Sequence, residues 1–131
     1  MQSNIPHALN APLLARPTVF SILFMISLVH LLNDSMQSVI PAIFPILRDT
    51  MDLSYVQIGW IGFAINATAS LMQPVIGLYA DKHPSPFLLP LGMLSSLMGM
   101  LGLALAPNYT MVILSVIFVG IGSAVFHPEA S

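Results

Sequence analysis

The chain has 131 residues, of which 56% are hydrophobic and 6% charged, with a net charge of −2 and a mean hydropathy of +0.89. A soluble domain carries about 25% charged residues, so this composition excludes an ordinary water-soluble globule and points to an integral membrane protein. The small net charge offers no attraction for nucleic acid, and the absence of cysteine excludes disulfide and Cys-based metal frameworks.

Residues 1–17 are polar and broken by Pro6, Pro12 and Pro17, which predicts a disordered tail. The apolar run that follows is too long for the core of a secretory signal, and no small-residue cleavage site follows it. It is expected to remain as the first spanning helix. Spanning takes about 20 apolar residues per helix. Segments at about 18–46, 55–79, 87–105 and 111–126 meet that need, so an all-α membrane protein with four transmembrane helices is expected.

The first segment, within TVFSILFMISLVHLLNDSMQSVIPAIF, is apolar yet carries a histidine and an aspartate. At 100° per residue, His30, Asp34, Gln37 and Pro41 fall within about 60° of one another, with Ser27, Asn33 and Ser38 flanking. An aspartate at mid-helix costs about 2.5–3.5 kcal/mol on insertion, whereas a serine or asparagine could tie helices together for less. Asp34, with His30 one turn earlier, is therefore the candidate for a proton-coupling role. The alternatives are a permanently hydrogen-bonded structural Asp34 and a His30 bonded to a neighbouring helix. Pro41 and Pro45 are positions where the helix would lose a hydrogen bond and bend.

Ser54 and Gln57 have capping-box spacing at the start of the second segment. Along it Gly59, Asn66, Ser70, Gln73 and Gly77 share an arc of about 60°. Two adjacent spans with polar stripes imply a shared polar interior, because hydrocarbon cannot satisfy amides or carboxylates. Asn33, Gln37, Asn66, Ser70 and Gln73 are thus candidate cavity residues. Interhelical glue at about 0.6 kcal/mol per bond is the competing explanation. Pro74 is a further expected bend.

Ser85-Pro86 places a cap residue before the third segment and a proline at its first helical position. Within it, the small residues Gly92, Ser95, Ser96, Gly99 and Gly102 predict close approach of another helix. Ala106-Pro107-Asn108 ends that helix, and Thr110 is the expected cap of the fourth. There Gly120, Ser123 and His127 share a face. His127 and Glu129 lie near its end, and Pro128 ends or bends the helix. No second histidine or cysteine stands at ligand spacing, so neither a metal nor a cofactor is expected. Arg16 and Lys82 fall on one side of the four spans and Arg48 on the other, which favours a cytoplasmic N-terminus.

Gly77-LYA-Asp81-Lys82 resembles the signature between helices two and three of the major facilitator superfamily, although His83-Pro84-Ser85-Pro86 replaces its glycine and basic pair. Together with SLVHLLNDSMQS and the terminal VFHPEAS, the stretch QPVIGLYADKHPSPFLLPLGM resembles the fosmidomycin-resistance branch of that family. The resemblance implies a proton-driven efflux carrier of the inner membrane, exporting a small-molecule drug by alternating access. It also implies that Asp34 and His30 lie in a central cavity, and that Gly77, Asp81 and Lys82 belong to a cytoplasmic gate. Carriers of this type hold two six-helix halves, so the chain is expected to be an N-terminal piece, inactive alone, whose partners are protons, lipid and the remaining helices. The rivals are a self-contained four-helix protein, acting as a small dimeric multidrug exporter or a non-transporting assembly subunit. An intramembrane enzyme is not expected, since no Ser-His-Asp, HExxH or paired-aspartate set is present.

Overall fold

The computed structural model describes residues 19–83 and 85–129, the last three for their backbone alone. The tail expected over residues 1–17 lies outside the described residues. Among those described, the chain forms five helices: α1 (Phe20–Ala42), α2 (Phe44–Met51), α3 (Tyr55–Lys82), α4 (Leu88–Ala104) and α5 (Tyr109–Glu129). Helices α1 and α3, and Tyr109–Phe126 of α5, are long and apolar enough to cross a membrane. With 17 residues, α4 is shorter, about 25 Å of helix against a hydrocarbon core of about 30 Å.

The single helix expected over 18–46 is divided at Ile43. Pro45 has no N–H for the carbonyl of Pro41, and its ring crowds that carbonyl. The Ile43 N–H instead lies 3.0 Å from Val39 O and 3.3 Å from Ile40 O. Helix α2 then restarts with Pro45 in its first turn, where proline is tolerated. It ends at Asp52, whose φ of 51° is left-handed. Aspartate tolerates that region through its short polar side chain, and the Leu53 N–H closes the turn on Arg48 O at 3.0 Å. Pro41 and Pro74 stay inside their helices.

The helix starts follow local chemistry. Ser54 Oγ accepts from the Gln57 N–H at 3.2 Å, and Gln57 Oε1 accepts from the Ser54 N–H at 2.9 Å. This reciprocal pair satisfies two donors at the start of α3. At α4, Ser85 does not cap the helix directly. Its Oγ accepts from the Phe87 N–H at 3.4 Å and its carbonyl from the Leu88 N–H at 3.3 Å, making a turn that ends at Phe87, the N-cap residue. At α5 the cap is Asn108 rather than Thr110, with Asn108 Oδ1 accepting from the Met111 N–H at 3.0 Å. The helix starts two residues earlier than the apolar run suggested, which moves the capping position back to Asn108.

Helix α5 is the centre of the bundle, packed by small residues against α3 on one face and α4 on the other. A Cβ on Gly120 would lie 2.8 Å from Ile65 O of α3, and one on Gly99 of α4 would lie 2.6 Å from Ser115 O. Backbone therefore meets backbone at both crossings. Two side-chain bonds set the register: Ser95 Oγ donates to Phe118 O at 2.8 Å, and Tyr109 Oη to Gln57 O at 3.2 Å. Ile61, Ile65, Leu103, Val112, Val116 and Val119 fill the core between them. Helix α1 leans on this assembly more thinly, with Asn33 and Ile40 as its buried residues. Phe20, Phe24, Val56, Leu71, Leu78 and Leu91 are exposed on the outer faces, where acyl chains would solvate them.

Candidate functional site

The polar stripes of α1 and α3 meet at one place. Gln37 and Asn66 line a cavity of about 220 Å³ whose other walls are Ile40, Pro41, Phe44, Gly62, Ile65 and Ala69. The bend at Ile43 positions Phe44 as its end wall, a consequence of Pro45 that periodicity alone did not reveal. Asn66 Nδ2 donates to Gly62 O at 2.7 Å. That bond fixes the amide along its own helix and leaves the side-chain oxygen to the cavity.

Asp34 lies one turn before Gln37 and is exposed. Its backbone carbonyl accepts from Ser38 Oγ at 2.7 Å, while its carboxylate has no hydrogen-bond partner among the described residues. Ser70 is exposed and Gln73 half-buried, one and two turns beyond Asn66 on the same face of α3. They extend the polar surface without lining the cavity.

His30 faces elsewhere. Its ring meets Phe126 edge to face at 5.6 Å between centroids, and it lines a separate cavity of about 290 Å³ with Met25, Val29, Leu89, Pro90 and Met93 among the other walls. No ion pair or hydrogen bond joins His30 to Asp34 among the described residues, so the expected pair is not assembled. Asn33, expected beside the cavity, is fully buried against α4, where its Oδ1 accepts from Ser96 Oγ at 3.4 Å. The reason is rotational: Asn33 stands about 100° from Asp34 on the helix, on the flank that α4 and α5 cover. Ser96 is a residue that sequence reasoning read only as a packing position. The signal available was that a serine, unlike a glycine, brings a hydroxyl into the crossing.

At the other end of α3, Gly77 is half-buried while Asp81 and Lys82 are exposed. Lys82 occupies the last turn, where the helix dipole favours a cation. His83 stacks on Tyr79 with ring centroids 5.2 Å apart. Arg48 and Asp49, 3.9 Å apart, form the one ion pair among the described residues, so neither Asp81 nor Lys82 is paired there. The guanidinium of Arg48 also sits 4.2 Å above the Tyr55 ring. His127 and Glu129 belong to α5 by backbone, and their side chains lie outside the described residues, as does Pro84.

A larger groove of about 680 Å³ runs between α4 and α5, lined by Leu94, Met98, Leu101, Leu105, Met111 and Phe118 among others. Its two hydroxyls, of Ser95 and Ser115, are already bonded to Phe118 O and Met111 O. It offers a ligand apolar contact and no free polar group, which leaves the Gln37–Asn66 cavity as the candidate site.

Residues 23–131 match the family model of the Major Facilitator Superfamily. Over 114 residues, 87% of the chain, the sequence is 52% identical to the uncharacterized MFS-type transporter YfnC of Bacillus subtilis. Over the same length it is 49% identical to the fosmidomycin resistance protein of Escherichia coli. The chain spans 28% of the length of each of these relatives. No solved structure gives a significant match. The spanning helices and a family match from residue 23 onward agree, and the chain belongs to the Major Facilitator Superfamily, a family of multi-pass membrane transporters rather than enzymes.

Proposed function

We propose that this chain works as the N-terminal part of a proton-coupled exporter of a small-molecule drug, with a fosmidomycin-like antibiotic as substrate. The observation that carries the reading is its 49% identity to the fosmidomycin resistance protein across 87% of the chain. The geometry supports it, because α1 and α3 present amides to one cavity and a carboxylate one turn away. An acidic side chain on a spanning helix must face protein or water rather than hydrocarbon. The face bearing Asp34 is therefore the one that the remaining helices of a carrier would enclose.

In this reading Asp34 takes up a proton from outside and releases it to the cytoplasm. Its two protonation states favour opposite orientations of the cavity. Asp34 acts without His30, which is turned to Phe126. Gln37 and Asn66 supply hydrogen bonds to the substrate, with Ser70 and Gln73 along its path. Gly77, Asp81 and Lys82 form a cytoplasmic gate whose ionic partners are supplied by the opposite half of the carrier. The protein sits in the inner membrane with its N-terminus in the cytoplasm, an orientation supported by Arg16 and Lys82 against Arg48.

The test uses the full-length carrier in inverted membrane vesicles. Asp34→Asn is expected to abolish drug-stimulated proton movement while the carrier remains in the membrane, and undiminished coupling refutes the assignment. The substrate class is tested separately. Export of a phosphonate supports it, whereas export of only neutral or cationic compounds overturns it and leaves the transporter reading intact.

A further inference from the structure

Asn33 is the one fully buried polar residue of α1, and Ile40, two turns on, is its other buried residue. Among the described residues, the hydrogen bond that joins α1 to another helix is the one from Ser96 Oγ to Asn33 Oδ1, at 3.4 Å. The bond is long, and the Asn33 Nδ2 is buried without a hydrogen-bond partner among the described residues. A leucine there would bury apolar area and remove the unmet amide donor, at the cost only of the long bond that Ser96 Oγ donates, so the amide is a poor choice for stability. It is a good choice for register, because a single polar contact distinguishes one rotation of a helix from its neighbours where apolar contacts do not.

The partner hydroxyl is itself held in place. Ser96 is fully buried where α4 and α5 approach most closely, and a Cβ added at Gly122 would collide with its Oγ and with Gly92 O. Ser96 is thus a fixed reference on the rigid α4–α5 pair. Helix α1, otherwise thinly attached, takes its orientation from it.

We infer that Asn33 is a positioning residue: its contact with Ser96 sets the rotation of α1 on the α4–α5 pair and so directs Gln37 into the cavity that it shares with Asn66. Gln37 follows Asn33 by one turn and lies about 40° round the helix from it. A rotation of one residue, about 100°, would carry Gln37 out of the cavity and bring an apolar side chain in. Asn33 itself touches no substrate.

Thiol labelling tests this without reference to substrate or coupling, so its failure is separate from failure of the transport reading. The chain contains no cysteine of its own, and single cysteines are placed at Gln37, on the cavity side, and at Val39, on the exposed side. Labelling by a water-soluble maleimide is measured in the full-length carrier in membranes, with native cysteines outside this stretch replaced. Asn33→Leu is expected to slow labelling at position 37 by about threefold, the weight of one interhelical hydrogen bond, and to change labelling at position 39. Ser96→Ala, which removes one oxygen from the crossing and opens little space, is expected to shift both labels in the same direction. It also serves if the leucine variant fails to reach the membrane. The double variant is expected to match the stronger single one. Unchanged labelling in Ser96→Ala overturns the proposal, as does an Asn33→Leu carrier with impaired transport but a native labelling pattern.

Discussion

At the residue scale, the chemistry of this protein is sparse and therefore legible. Gln37 and Asn66 share one cavity while Asp34 stands just outside it, its carboxylate unpaired among the described residues. Replacing either amide with alanine in the full-length carrier is expected to raise the substrate KM about fivefold, the weight of one lost hydrogen bond, with kcat held within about twofold. Initial-rate transport at graded substrate concentrations checks it. The double variant should fall short of the product of the two if both amides hold the same group. The polar stripe on α1 could be read from spacing alone, because an acid in an apolar run has few places to go. Where each polar residue points could not. Asp34, Asn33 and His30 sit within five positions of one another, and the fold sends them to the open face, to α4 and to Phe126 respectively.

At the scale of elements, α5 shows why small residues recur in this chain. Gly99 meets it backbone to backbone, so Gly99→Val is expected to destabilise the protein by about 1–3 kcal/mol through overpacking. Gly59 on α3 has nothing within 4 Å of the site its Cβ would occupy. There Gly59→Ala is expected to be neutral or stabilising by up to about 1 kcal/mol, since alanine is the better helix former. Thermal unfolding of the purified carrier in detergent should separate the two, and equal losses would mean that the crossing of α4 and α5 is not tight. Helices, their capping box and the small-residue stripe were legible because each is local. The division of the first helix was less so. Two prolines announced a bend, but which of them breaks the helix depends on which carbonyl the second ring meets.

At the scale of the whole molecule, α3, α4 and α5 form a tight unit and α1 rests against it. The loop end of α3 presents Asp81 and Lys82 without ionic partners among the described residues. In a carrier of the relatives' length, Asp81→Asn is expected to lower the transport rate about tenfold with substrate affinity unchanged, the effect of losing the proposed gate contact at a weight of about 1.4 kcal/mol in the transport cycle. Binding measured at equilibrium beside transport by the same preparation checks it, and a parallel loss of affinity would place Asp81 elsewhere than the gate.

Composition and periodicity were enough to determine the membrane class and most of the helical segments, and the family was legible through the resemblance of a few motif stretches, since each depends on residues close in the chain or on totals over it. Tertiary structure alone decided that α5 is the hub, that Asn33 turns to Ser96 and away from the cavity, and that His30 and Asp34 part company. Helical spacing says which side chains share a face. Only the neighbouring helices decide which direction that face looks, because rotation about a helix axis costs nothing until another helix is there to oppose it.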